Sequence, residues 1–89
     1  MMSESKALAL AAAANLAVGK TSVTKLEGRL CAKRGKAAVR YQMTVGKATC
    51  FYETDCGGSA CWMVDFDGVT NRAGYKGEAI AEAVKLQTA

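Results

Sequence analysis

The chain has no proline and no histidine among its 89 residues. Proline interrupts strands and helices, so its absence suits hairpins and helices that are joined by glycine turns. Histidine is the commonest general base and the commonest metal ligand, so its absence removes the usual centre of both kinds of site. We therefore expect a protein that is not an enzyme and that carries no cofactor and no metal.

The composition predicts one globular domain over residues 1–89, since 51% of the residues are apolar and 22% are charged. The formal net charge is +4. A positive balance of this size favours an acidic partner, either nucleic acid or a negatively charged protein surface.

The apolar run over residues 7–18 is too short to cross a membrane. It follows Lys6 and has two interpretations, a cleaved secretory signal or a folded helix. Glu4 before the run and Asn15 within it favour the helix. We thus expect a cytoplasmic protein with reduced cysteines and no membrane contact.

Glycine residues divide the chain into an α+β arrangement, a four-stranded antiparallel meander with one helix before it and one after it. The first helix is expected from Ser3 or Ser5 to about Val18, and the last one from about 77 to 87. The strands are expected at about 22–33, 37–45, 48–55 and 60–66, with turns at Gly35-Lys36, Gly46-Lys47 and Gly57-Gly58 and a polar loop over 67–76.

The first hairpin is predicted to have one apolar face and one polar face. A two-residue turn at Gly35-Lys36 pairs Leu30 with Tyr41 on the core face. The opposite face then carries Arg29 and Arg40.

The segment 49–66 is predicted to be apolar on both faces. One face carries Phe51, Trp62, Val64 and Phe66, and the other carries Cys50, Tyr52, Cys56, Cys61 and Met63. A sheet in a one-core domain normally has one apolar face, so the second face would need a cover, either the first helix or a partner.

The turn at Gly46-Lys47 decides which of these faces enters the core. A two-residue turn buries Cys50 and Tyr52, whereas a bulge of one extra residue flips every side chain and buries the aromatic face. Burial is worth about 1.5–3 kcal/mol for each large apolar side chain, which exceeds the cost of a bulge. The bulged register is therefore favoured.

The four cysteines, Cys31, Cys50, Cys56 and Cys61, lack the paired C-x2-C spacing of zinc ribbons. In the bulged register they share a face, which keeps a four-thiolate zinc site as the alternative to reduced, half-buried thiols. We favour the reduced thiols. Cys56 and Cys61 flank a turn and would form the easiest disulfide in an oxidising compartment.

Two further patterns indicate no chemistry. Gly19-Lys20-Thr21 copies the end of a P-loop but follows a helix and precedes a strand, so we interpret it as a turn. Asp65 and Asp67 have no nucleophile or oxyanion site beside them, and solvated strand ends explain them.

Candidate partner contacts are basic and aromatic residues, together with one asparagine, of the first hairpin, the second hairpin and the 67–76 loop. The set is Arg29, Lys33, Arg34, Lys36, Arg40, Tyr52, Asn71, Arg72 and Tyr75.

The residues GlyTyrLysGlyGluAlaIleAlaGluAlaVal (74–84) resemble the start of the last helix in double-stranded-RNA-binding domains. Such domains grip phosphates there with a run of lysines, whereas this chain has only Lys76 and Lys85, opposed by Glu78 and Glu82, and has an extra strand. The resemblance implies a nucleic-acid-binding module as the alternative function.

In length and in sheet-plus-helix build, the whole chain resembles small phage-encoded inhibitors, anti-CRISPR proteins in particular. The likeness is one of type, a compact domain with no catalytic set and one charged, apolar sheet surface. It implies that the protein sterically blocks a host defence complex at a site used for nucleic acid or for a partner subunit. Homodimerisation through the alanine-rich helix or the open sheet face is compatible with either function.

Overall fold

The computed structural model describes residues 2–54 and 61–88 of the chain. It confirms an α+β fold with an antiparallel sheet and a helix at each end, but the sheet has five strands. Each strand pairs with the next one in the sequence, so the order in the sheet is β1-β2-β3-β4-β5. The elements are α1 (Glu4–Ala13), β1 (Ser22–Leu30), β2 (Ala37–Val45), β3 (Ala48–Glu53), β4 (Trp62–Phe66), β5 (Val69–Gly74) and α2 (Lys76–Thr88).

The fifth strand takes the place of most of the expected polar loop. Asp67 and Gly68 occupy the two turn positions with φ of 52° and 78°, and Phe66 pairs directly with Val69. Positive φ at both positions is what a type I′ hairpin turn requires, and Asp-Gly satisfies it well. The expectation of four strands is wrong because Asp67-Gly68 is a hairpin signal and not part of a loop.

α1 ends earlier than expected. The Ser3 hydroxyl caps its N-terminus by accepting a hydrogen bond from a backbone N–H of the first turn at 3.2 Å. The helix ends at Ala13, and Asn15 follows with φ of 58°, a left-handed conformation that Asn tolerates better than most residues. Val18 then forms a single antiparallel bridge to Val45 instead of extending the helix.

The β2–β3 turn holds two residues, so the favoured bulged register is wrong. Val45 pairs with Ala48, and Gly46 has φ of 59°, a value that glycine favours at the first position of such a turn. In this register Cys50 lies opposite Met43, and both side chains are buried.

Gln87, near the end of α2, braces this turn. Its Nε2 donates to the Val45 carbonyl at 2.6 Å, and its Oε1 accepts from the Lys47 N–H at 2.8 Å. The limits of α2 lie within one residue of those expected from the sequence. The end of the last helix and the middle of the sheet are therefore held together by side-chain hydrogen bonds as well as by apolar packing.

The pairing of β3 with β4 places most of the apolar residues of this segment on one face of the sheet. Cys50 lies opposite Val64, and Phe51 lies opposite Met63. This register is one residue away from the expected one, which had Phe51 and Val64 on the same face. Trp62, Val64 and Phe66 therefore share the face of Cys50 and lie in or against one core without a bulge, whereas Phe51 and Met63 lie on the opposite face. The expected turn at Gly57-Gly58 lies outside the described residues.

β1 pairs with β2 in a register that also differs from the expected one. Val23 lies opposite Tyr41 and Leu30 lies opposite Ala37, so the predicted pairing of Leu30 with Tyr41 is wrong. The register shifts in the second half of β1, where Gly28 has φ of 77°. As a result, Leu30 is 67% exposed instead of buried.

The core lies between the sheet and α2. α2 packs over β3, β4 and β5, and α1 packs against α2. The two helices meet closely at Gly77, where a Cβ atom would overlap the backbone of Met2 and Ser3. We call the face of the sheet under α2 the inner face and the opposite one the outer face. The buried core residues are Ala7, Ala11, Met43, Val45, Ala48, Cys50, Val64, Ala79, Ile80, Ala83 and Val84.

Candidate partner-binding surface

A row of aromatic side chains crosses the inner face near the start of α2. Tyr41 pairs with Tyr52, and Val23 continues the row onto β1. The ring centroids of Tyr41 and Tyr52 are 6.1 Å apart, and those of Tyr52 and Trp62 are 5.9 Å apart. These distances are typical of interacting aromatic pairs, so the half-buried rings form one continuous surface.

A cleft of about 560 Å³ opens at one end of this row, where β5 passes into α2. Tyr75 is the most open of its aromatic residues, with 63% of its surface exposed. The Lys76 ammonium lies 3.5 Å from a carboxylate oxygen of Glu4. The lining residues are Tyr52, Cys61, Trp62, Gly74, Tyr75 and Lys76. The volume is ample for a large side chain of a partner.

The other end of the row lies on β1, which has no cover. Neither described helix packs over this strand, and all of its residues except Leu26 are exposed. Val23 has 60% of its surface exposed. Val23 therefore extends the apolar surface of the aromatic row to the edge of the sheet. We call Val23, Tyr41, Tyr52, Trp62 and Tyr75 the aromatic shelf.

The turn between β1 and β2 presents three exposed cations, Lys33, Arg34 and Lys36, which we call the basic turn. Cys31 anchors it, since its carbonyl accepts from the N–H groups of Arg34 and Gly35 at 3.1 Å and its own N–H donates to the Lys36 carbonyl at 2.7 Å. The sequence has no acidic residue from 28 to 52. The three cations of the turn therefore lie in a stretch of sequence without a carboxylate, and Glu27 on β1 is the single acidic residue of the hairpin.

Arg29 and Arg40, two of the predicted contacts, converge on one carboxylate. Glu53 accepts from Arg29 at 3.2 Å and from Arg40 at 3.1 Å. Arg40 also donates to the Gln42 side-chain oxygen at 2.9 Å, and its guanidinium lies 4.2 Å from the centre of the Phe51 ring. These contacts fix Arg40 within a network on the outer face.

The two β5 candidates lie on opposite faces of the sheet. Arg72 pairs with Met63 on the outer face and is exposed, whereas Asn71 pairs with Val64 on the inner face and is half-buried. The candidate contacts thus divide among the outer face, the basic turn and the inner face. Two of the nine predicted contacts, Tyr52 and Tyr75, belong to the aromatic shelf.

The described cysteines occupy three different environments. Burial in the core raises the pKa of Cys50 to about 11, and its sulfur lies 3.5 Å from the Ala79 carbonyl oxygen. The backbone N–H of Lys33 lowers the pKa of Cys31, against the effect of burial. Cys61 lines the cleft.

No group of three or more metal-ligating side chains occurs within 2–54 and 61–88. Cys31 and Cys50 do not share a face: Cys50 belongs to the core, whereas Cys31 donates to the Thr54 carbonyl at 3.1 Å, apart from the core cluster. Cys56 lies outside the described residues, and so does its predicted pairing with Cys61.

The P-loop-like sequence and the aspartates take part in backbone and hairpin contacts. The Gly19 N–H donates to the Thr44 carbonyl at 2.9 Å, so Gly19-Lys20-Thr21 leads the chain along the edge of β2 into β1. Asp65 accepts a hydrogen bond from the Thr70 hydroxyl across the β4–β5 hairpin. Both arrangements are those of ordinary structural residues.

Three members of the aromatic shelf, Val23, Tyr41 and Trp62, were not among the candidate contacts. The alternation of apolar residues assigns Tyr41 and Trp62 to the core face of the sheet. They do lie on that face, but both side chains are only half-buried. Alternation carries no information on how far a helix covers that face. The open end of the inner face is therefore a property of the fold that strand patterns do not reveal.

No protein-family model matches the chain, and neither a curated protein nor a solved structure matches it significantly. Among the described helices, none has the length and apolar character needed to cross a membrane. The aromatic shelf and the basic turn are therefore the features on which a function can be proposed.

Proposed function

We propose that this chain is a non-enzymatic, cytoplasmic binding protein whose partner presents an acidic protein surface to the β1–β2 hairpin. The observation that carries the proposal is the basic turn, three exposed cations on a hairpin that has no carboxylate from residue 28 to residue 52. A cluster of exposed cations of this kind attracts and orients an acidic partner.

The resemblance to small phage-encoded inhibitors supports a particular outcome of this binding, the steric blockade of a host defence complex of CRISPR-Cas type. Blockade needs only a rigid surface that occupies a site, and the paired hairpin with its anchored turn provides one. The net charge of +4 argues against mimicry of DNA. The blocked site is then an acidic one that the complex uses for a partner subunit.

The test is a plating assay in a host whose defence complex targets the infecting phage. Expression of the wild-type protein is expected to restore plaques. The variant Arg34→Glu/Lys36→Glu is expected to lose this effect by about tenfold or more, which corresponds to about 1.4 kcal/mol of binding. Arg40 is left unchanged because its contacts with Glu53 and Phe51 make its reversal a structural change.

The matched control is Lys6→Glu/Lys85→Glu, which makes the same change in net charge at exposed positions of the two helices. This control is expected to restore plaques as the wild type does. If the turn variant folds normally and still restores plaques fully, the basic turn is not the contact.

Nucleic-acid binding is the second candidate, since the basic turn would also attract phosphates. The helix start that resembles a double-stranded-RNA-binding domain gives it less support, because Lys76 is paired with Glu4 and Gly77 is packed against α1. A gel-shift titration with duplex RNA at two salt concentrations separates the candidates. This second function requires a shift that weakens steeply as the salt concentration rises.

A further inference from the structure

The aromatic shelf is a row that crosses neighbouring strands at a right angle. Val23, Tyr41 and Tyr52 are direct cross-strand neighbours, and the Trp62 ring follows at 5.9 Å from the Tyr52 ring. Since strands lie about 4.8 Å apart, four strands give the row a length of about 14 Å. Whatever binds along this row lies across the strands and not parallel to them.

A helix fits this direction better than an extended chain does. An extended peptide across the strands would leave its backbone N–H and C=O groups without a ladder to join. A helix makes its own backbone hydrogen bonds, and apolar side chains at i, i+3, i+7 and i+10 extend over about 15 Å. That length matches the row.

Strand addition at β1 is the other mode that an extended chain would use, and this edge is poorly suited to it. The register shift and the positive φ of Gly28 interrupt the strand, and Lys25, Glu27 and Arg29 place charges along it. Irregularity and charge are features that protect edge strands from pairing. The row of side chains is therefore the better docking site of the two.

The cleft at the Trp62 end provides an anchor point. A volume of about 560 Å³ beside Tyr52, Trp62 and Tyr75 accepts one large apolar side chain of the bound helix. Binding energy in interfaces concentrates where aromatic residues and pockets meet. Val23, at the far end of the row, supplies the second apolar contact.

The charge beside the row selects the kind of helix. Lys25 follows Val23 on the inner face, opposite Val39, and the basic turn lies beyond it. The described inner-face residues that have a cross-strand partner at this end of the sheet include no carboxylate, and Glu27 is the single acidic residue of β1. A second copy of this chain is a poor occupant, because a symmetric pair would bring like charges together.

From these observations we infer that the aromatic shelf receives an amphipathic helix of the partner, with acidic residues along the edge that faces the basic turn. This inference rests on the proposed function only in taking the partner to be a protein. The peptides that the shelf prefers are measured without that partner. The proposed function and this inference can therefore fail independently of each other.

The test is a selection from a library of displayed random peptides of about 16 residues against the purified full chain. Enriched peptides are expected to carry apolar residues spaced three or four apart and Asp or Glu along one flank. Their affinity is expected to fall about tenfold or more with Val23→Glu. The matched control, Val69→Glu, changes a residue of similar exposure on β5 and is expected to keep the affinity within about twofold.

Trp62 is the only tryptophan of the chain, so its fluorescence reports directly on the shelf. Peptide binding to the wild type is expected to change this emission and to shift the amide signals of Tyr52 and Trp62 in NMR spectra. These two measurements keep the test informative if Val23→Glu does not fold.

Three results would overturn the inference. The first is a selection that yields no peptide with a higher affinity for the wild type than for Val23→Glu, or that enriches basic peptides or peptides in which apolar and polar residues alternate. The second is quenching of Trp62 by oligo(dT) at lower concentrations than any selected peptide requires, which would assign the shelf to single-stranded nucleic acid. The third is burial of the shelf in a dimer, seen by sedimentation and abolished by Val23→Glu.

Discussion

Cys50 places a titratable thiol in the core, and its titration is expected to make stability depend on alkaline pH. The unfolded thiol has a pKa of 9.0 and the folded one a pKa of about 11. Between these values the folded state binds more protons than the unfolded state, so stability is full below pH 9 and falls as pH rises toward 11. The loss amounts to about 3 kcal/mol.

The measurement is urea unfolding between about pH 8 and about pH 11 for the wild type and for Cys50→Ala. The difference in unfolding free energy between the two proteins is expected to shrink as the pH rises. Cys61→Ala serves as the control and is expected to keep the alkaline loss of the wild type, since Cys50 is still present. Parallel curves for the wild type and Cys50→Ala would contradict the prediction.

The β2–β3 hairpin and the β1–β2 hairpin each contain a glycine with positive φ, in very different surroundings. Gly46 has φ of 59° and Gly35 has φ of 62°. A Cβ atom at Gly46 would overlap the Gln87 side-chain oxygen and lie 2.8 Å from Leu16, whereas at Gly35 it would meet nothing within 4 Å.

We therefore expect Gly35→Ala to lower the free energy of unfolding by about 1–2 kcal/mol, the cost of the left-handed conformation alone. Gly46→Ala carries the same conformational cost and also breaks the brace of Gln87, so it is expected to lose about 1–3 kcal/mol more. Urea denaturation of the two variants measures the difference. Equal losses would show that the turn is not closely packed against α2.

The same elements show how far the sequence alone predicts the fold. The starts of the first three strands and the limits of α2 follow from local signals, namely glycine turns and apolar spacing. Asp67-Gly68 is also a local hairpin signal, so β5 is predictable from the sequence, although residues 67–76 were assigned to a loop. The pairing of Cys50 with Val64 depends on the register between β3 and β4. A shift of that register by one residue moves each side chain of one strand to the other face of the sheet, and the sequence pattern does not fix this register.

The candidate site divides in the same way. Lys33, Arg34 and Lys36 were predicted as a turn from their sequence, because charge and glycine content are local properties. The aromatic shelf was not predicted, since it exists only because α2 covers β3 to β5 and leaves β1 bare. Coverage of a sheet by a helix is set by tertiary packing, which no pattern within a strand records.

The molecule is elongated, 41 Å by 24 Å by 22 Å, and its protection from solvent is uneven. β1 packs against β2 and neither described helix covers it, whereas β5, the other edge strand, packs under α2. We expect amide hydrogen exchange to be fastest in β1, slower in β5 and slowest in β3 and β4. Exchange monitored by mass spectrometry tests this order. Equal protection of β1 and β5 would contradict it.

The neighbour-to-neighbour order of the strands has a consequence for how quickly the chain finds its structure. Hairpins close short loops, so the sheet assembles at small entropic cost, whereas the docking of α1 on α2 joins distant parts of the chain. We therefore expect the hairpins to form the folding nucleus and α1 to dock after the transition state. Contacts formed that late mainly slow unfolding, so the buried Ala7 and Ala11 of α1 are expected to affect the unfolding rate more than the folding rate.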